Sequence, residues 1–227
     1  MKKKKKIKKQ DKPEPLNTEY YFSSPSYWTD KPEWVKDLNT ASDAYIKQAR
    51  LNNLDEIKKR NKKYGNKGEH PWVHHSTTLM GDPQFKVLQD YIGATAWNLL
   101  DGQGFDLTNH TIFITELWVQ EFSKDGGGHH SLHTHWNGHI SGFFFLKASE
   151  LTSRPIFEDP RPGHVMNLLP QKDPSKITGA SNQVNYIAKP GRLIFLILIY
   201  LICMRWIMDM NLFGLFILIY QLSLIAY

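Results

Sequence analysis

The chain has a single cysteine in 227 residues. That excludes a disulfide scaffold and any cysteine-rich zinc module. An apolar leader is missing as well, because the N-terminus reads MKKKKKIKKQ and offers no hydrophobic stretch of the signal-peptide kind. These two absences predict the cytoplasm as the compartment. No internal repeat is visible, and strands do not alternate with helices as a parallel α/β sheet requires. An excess of one charge also disappears on inspection. The formal charge is +6, but seven of the 28 basic residues lie in the first ten positions, which leaves 21 basic against 22 acidic groups in the rest, about −1. The basic balance therefore reports a solvated tail rather than a nucleic-acid surface, and no nucleic-acid partner is expected.

What is present suits one globular domain. Hydrophobic residues make up 41% and aromatics 13%, with seven tryptophans, so global disorder is excluded and a proper core is within reach. Composition divides the chain into residues 1–18, a disordered lysine-rich tail, residues 19–195, the domain, and residues 196–227, a hydrophobic tail. The abrupt change begins near Leu193.

The first half of the domain reads as helix. Asp43 to Lys59 carries apolar residues at 46, 51, 54 and 57, and Asp82-Pro83 caps a second helix to Leu100 with apolar positions 85, 88, 92, 96, 99 and 100. The second half changes period. Thr111 to Phe122 is β-branched and aromatic, with Ile112, Ile114, Trp118 and Phe122 predicted on one face. His135 to Leu146 reads as one strand ending in the apolar run SGFFFL. Val184 to Ala188 and Leu193 onward read as further strands around the Lys189-Pro190-Gly191 turn. The expected class is mainly β with N-terminal helices (α+β), a β-sandwich or jelly roll buttressed by those helices.

Five of the ten histidines fall between 129 and 139, in GGGHHSLHTHWNGH. On a regular strand, residues two apart share a face, so His133 and His135 are the candidate metal ligands. Imidazoles suit divalent iron, whose facial triad needs a third protein ligand from a distant strand. His129 and His130 follow three glycines and are expected to be exposed. His74 and His75 lack a partner spacing and are read as structural. Trp118, Gln120, Trp136 and Phe145 are candidate pocket residues, with packing into the core as the alternative.

The runs LHTHWNGHISGFFFLKA, FEDPRPG, MNLLP and NYIAKPGRLIF, in that order over roughly residues 70–195, resemble the 2-oxoglutarate- and iron(II)-dependent oxygenases encoded by marine bacteriophages. The resemblance implies a double-stranded β-helix like that of the prolyl hydroxylases. It also implies Fe(II) as cofactor, 2-oxoglutarate and O2 as co-substrates, and oxidation of a substrate C–H bond with 2-oxoglutarate decarboxylated to succinate. The cytoplasm would then be that of an infected host cell. His133 matches the first iron ligand, and His135 stands where the wider superfamily has the aspartate of its His-x-Asp pair. Asp159-Pro160-Arg161 matches a motif of this branch and reads as a structural turn. Two residues that the resemblance calls for are absent: a distal histidine after the Pro-Gly turn, and further on an arginine or lysine for the far carboxylate of 2-oxoglutarate. No histidine follows His164, and Arg205 is the only basic residue beyond Arg192.

The tail after Phe195 has two readings. As a membrane anchor it offers apolar runs at 193–204 and 210–227, split by Arg205 and Asp209, neither a clean span. As a shifted reading frame it explains more. One T inserted after the Phe195 codon allows back-translation to FFNSYLPHMYAVDHGYEPFRFIHFNLSA. The new histidine codon straddles those of Leu201 and Ile202, and the new arginine codon those of Phe213 and Gly214. As written, the chain is expected to be an inactive oxygenase with its jelly roll incomplete at the C-terminus. Two other classes remain: a membrane-tethered binding protein, and a non-catalytic cupin-like metal protein with His110 or Glu116 as third ligand.

Overall fold

The computed structural model describes residues 17–19, 21, 23–123, 128–134, 138–149, 154–161, 169–197, 201–204 and 216–226. In chain order it has β1 (Ser26–Asp30), α1 (Val35–Tyr64), β2 (Val73–His75), α2 (Lys86–Gly102), β3 (His110–Phe122), β4 (His130–His133), β5 (Ile140–Lys147), β6 (Pro155–Glu158), β7 (Gln183–Asn185), β8 (Arg192–Ile197), β9 (Leu201–Met204) and β10 (Phe216–Ala226). The strands form a six-stranded sheet ordered β1-β8-β5-β10-β3-β2 and a four-stranded sheet ordered β4-β9-β6-β7. Every pairing is antiparallel. This is the jelly roll with supporting helices that the sequence predicts.

The large sheet is buried on both faces. Toward the helices, Leu193 and Phe195 of β8 and Ile140, Phe144 and Leu146 of β5 pack with Leu38, Leu88, Ile92, Ala96 and Leu100. Toward the small sheet, Ile194, Leu196, Phe143 and Phe145 pack with Phe157. Burial on both faces is why SGFFFL is continuously apolar rather than alternating. The α2 stripe is the predicted one, and Asp82 accepts a hydrogen bond from Gln84 N at 2.9 Å at the start of the preceding 3-10 turn. Helix α1 is longer than predicted and buries a different line: Leu38, Ala41, Ile46, Ala49 and Ile57 are inside, while Leu51 and Leu54 face solvent. Two positions of that seam are alanines, which a search for large apolar side chains passes over. Arg50 anchors α1 to β3 through Glu121 at 2.6 Å.

Three further expectations are corrected. The predicted strand from His135 to Leu146 begins later, for Ile140 opens β5, residues 138–139 precede it outside any strand, and residues 135–137 lie outside the described ones. The predicted common face of β3 is also broken: Ile112 and Ile114 face the helices, whereas Trp118 and Phe122 face the small sheet. In the β10 register Glu116 pairs with Gln221 and Ile114 with Leu222, so Thr115 is an extra residue that inverts the alternation. Finally, the sheet is not left open at its C-terminal end. β10 lies between β3 and β5, with Leu222 only 1% exposed, and β9 lies between β4 and β6. An apolar β-branched run supplies what two open strand edges require, whatever its origin. The segment considered as an anchor is therefore strand at 192–197, 201–204 and 216–226. No helix among the described residues is long and apolar enough to cross a membrane.

Candidate functional site

β4 carries His130 and His133 at one edge of the small sheet, beside β9. Its pairing with β9 is irregular: His130 stands opposite Met204 and His133 opposite Ile202. Three residues on β4 thus span two on β9, so a bulge at Ser131-Leu132 puts His130 and His133 on one face, with ring centroids 6.0 Å apart. Regular strand spacing would pair His133 with His135 instead. His135 and Trp136 lie outside the described residues.

His133 is exposed, and its Nδ1 lies 2.7 Å from the carbonyl oxygen of Ser131. A carbonyl only accepts, so Nδ1 is the donor, and this is the kind of backbone bond that orients metal-binding imidazoles. His130, expected to be exposed, is half-buried. It is hydrogen-bonded to the Gln120 side chain of β3 and meets the Phe122 ring edge-on at 5.9 Å. This bond ties the small sheet to the large one. Gln120 is 1% exposed, and its Oε1 has no hydrogen-bond partner among the described residues.

His75 is exposed and packs on β3 beside Trp118. It stands opposite Gln120 in the β2–β3 register and lies 3.8 Å from the Trp118 ring, centroid to centroid. β2 pairs with the end of β3 that holds Trp118 and Gln120, but a three-residue strand gives no periodic signal by which to find it. Its neighbour His74 is structural as expected. It is fully buried, with Nε2 3.2 Å from Glu69 and Nδ1 3.3 Å from the Asn53 amide of α1. Of the candidate pocket residues, Trp118 is half-buried against His75, and Gln120 is buried against His130. Phe145 is corrected to core, for it is fully buried and stacked on Tyr186 at 6.1 Å.

Other sequence features have structural roles. Asp159 accepts hydrogen bonds from Arg161 N at 2.9 Å and from its guanidinium at 2.6 and 2.9 Å, so the Asp-Pro-Arg motif is a closed turn. A cavity of about 300 Å3 at the β6–β7 end is lined by Tyr21, Phe157, Asp159, Arg161, Asn182 and Gln183, and holds none of the candidate site residues.

Among the described residues no group of three His, Cys, Asp or Glu side chains lies together around one point. His110 and Glu116, considered as third ligands, thus do not join His133 in such a group. His110 has a buried Nδ1 with no hydrogen-bond partner among the described residues, at the far end of β3, and Glu116 accepts from Trp118 Nε1 at 3.5 Å.

Comparison with known proteins points in one direction. Residues 116–196 match the family described as putative 2OG-Fe(II) oxygenases. No curated protein matches the chain. Among solved structures, the chain is similar to AviO1 from Streptomyces viridochromogenes Tue57, with 11% identity, TM-score 0.52, and coverage of 88% of this chain and 90% of that one. It is similar to SnoN, the non-heme alpha ketoglutarate dependent epimerase of nogalamycin biosynthesis, with 10% identity, TM-score 0.55, and coverage of 88% and 76%. A prolyl-4-hydroxylase from Pseudomonas putida has 6% identity, TM-score 0.50, and coverage of 88% and 93%. The likeness to these solved structures is one of fold, and the family match covers the segment from the middle of β3 into β8.

Proposed function

We propose that this gene specifies a 2-oxoglutarate- and Fe(II)-dependent oxygenase of the bacteriophage type, and that the polypeptide as written is catalytically silent. The family match over residues 116–196 carries the first half of this reading. The oxygenase-like fold and the exposed position of His133 on β4 of the small sheet support it. In a solved complex, SnoN is bound to Fe3+ and alpha ketoglutarate, and iron, as Fe(II), with 2-oxoglutarate is proposed for the intact form of this chain.

The residues present do not fit an iron centre. His133 donates from Nδ1 to a backbone carbonyl, and His135 follows two residues later, but the β9 position opposite His133 is isoleucine. No third ligand accompanies His133 among the described residues. Nor does any basic residue lie beyond Arg205 for the far carboxylate of 2-oxoglutarate. No step through iron is therefore derived for this chain. Its own residues would still offer the tilted aromatic pair of Trp118 and His75 and the buried carboxamide of Gln120.

The test compares the chain as written with one from a gene carrying a T after codon 195. Formation of succinate from 2-oxoglutarate is followed with and without O2. The restored chain is expected to give O2-dependent succinate and the written chain none above a His133→Ala control. O2-dependent succinate from the written chain would overturn its assigned silence, and none from a folded restored chain would overturn the oxygenase reading. An accurate read of the DNA across codons 193–215 checks independently whether the T is present.

A further inference from the structure

We infer that the cavity between the β6–β7 ladder and the chain entering β1 is a non-catalytic binding site for a single neutral pyranose sugar. This site does not depend on the oxygenase reading. β7 is the edge of the small sheet opposite to β4, so the cavity is separate from the His133 face. It encloses about 300 Å3, which is at the lower end of the range for small-ligand sites and suits one sugar ring. Phe157 pairs with Val184, and the ladder carries on by one more pair, with Asp159 N donating to Asn182 O at 2.9 Å. Residues two apart on a strand share a face, and so do directly opposed residues. The inward face therefore changes in a single step from the apolar Phe157 and Val184 to the polar Asp159 and Asn182. A face that only closed the sandwich would stay apolar there. Asp159 is nonetheless drawn inside, its side chain only 7% exposed. The rest of the described lining comes from residues 21–24, just ahead of β1, with the exposed Tyr21 ring among them.

The lining chemistry selects the ligand. Asp159 accepts from Nε and Nη2 of Arg161, which fixes the guanidinium in place. A guanidinium has five N–H donors, so three are left for ligand oxygens. The Asn182 carboxamide can both donate and accept, and Phe157, Val184 and Tyr21 add apolar and aromatic surface. A pyranose matches both halves of this lining. Its C–H face packs on apolar and aromatic side chains, while its hydroxyls donate and accept. Charge decides against the other ligand classes. Two carboxylates, Glu158 and Asp159, against the one guanidinium of Arg161 leave the lining at −1 formally, so a phosphate or carboxylate gains no net attraction. A cation would have to displace Arg161 from the buried Asp159 carboxylate, at the cost of breaking a shielded ion pair.

The probes are the methyl pyranosides of glucose, galactose, mannose and N-acetylglucosamine, titrated into the full chain and followed by saturation-transfer NMR. At least one is expected to bind saturably with Kd on the order of 1 mM, as befits a ligand of about a dozen non-hydrogen atoms. Asn182→Leu keeps the size of the side chain and removes its polar groups, and is expected to weaken binding about tenfold. Should that variant not fold, Arg161→Gln takes its place, since the Arg161 side chain is 61% exposed. His133→Ala is expected to leave sugar binding unchanged, and acetate and phosphate are expected not to displace the sugar. Absence of saturable binding by all four pyranosides in the folded chain overturns the assignment. So does equal binding by a folded Asn182→Leu or Arg161→Gln chain, or loss of binding in His133→Ala, which would place the sugar elsewhere. Displacement by acetate or phosphate would make the site an anion site and overturn the assignment to a neutral sugar. Succinate formation is read separately, so failure of the sugar site leaves the oxygenase reading standing, and the reverse holds equally.

Discussion

At the residue scale, two small features hold β1 against β8. Gly191 has φ of +84°, and a Cβ there would lie 2.7 Å from Pro32 Cα, so both conformation and space demand glycine. Gly191→Ala is expected to lower stability by about 1–3 kcal/mol, read from urea midpoints. A change below about 0.5 kcal/mol would contradict the close approach. Beside it, Asp30 accepts from Arg192 at 2.8 Å and from Lys189 at 2.9 Å, and these cations hold its carboxyl well below the usual carboxylate range. A depressed carboxyl contributes stability that is complete above its unfolded pKa of about 3.9 and is lost as pH falls toward the folded value. Asp30→Asn is therefore expected to flatten the acid limb of the stability curve between about pH 5 and pH 2.5. An unchanged slope would mean that the pair is screened by solvent.

At the element scale, the decisive strand is β10. It joins β3 to β5, and Leu222 puts it into the core on the helix side. Leu222→Ala is expected to cost about 2–5 kcal/mol in chemical denaturation, as other fully buried leucines do. A negligible loss would mean that β10 is not seated there. Elements with an uninterrupted period are legible in the sequence. The α2 stripe of Leu88, Ile92, Ala96 and Leu100, with Phe85 ahead of it, follows from spacing because a helix buried on one stripe repeats faithfully. In β3 the same logic fails at one residue, Thr115, since a bulge inverts the alternation without leaving a signature in composition. The β4 bulge has the same effect on the histidines, bringing His130 rather than a residue of regular spacing beside His133.

At the scale of the whole molecule, folding and chemistry ask different things of the C-terminal segment. Sheet closure asks only for apolar, β-forming residues, and FILIYQLSLIA meets that demand. A metal centre asks for one ligand at one position, which an arbitrary apolar run does not supply. The written chain is thus expected to fold cooperatively while failing to turn over 2-oxoglutarate. Calorimetry on the written and frame-restored chains, beside the succinate assay, separates the two properties. An unfolded written chain would contradict the pairing of β10 with β3 and β5.

The amino-acid sequence by itself determined the class of fold, the α2 seam, the histidine-rich segment and the family resemblance. Each is encoded locally, in period, composition or contiguous motif. Only the tertiary structure decided which sheet carries the histidines, which residues share their face, and that position 202 stands opposite His133. Register between strands some 70 residues apart is set by the simultaneous burial of two sheet faces and by bulges, and no local window of sequence contains that information.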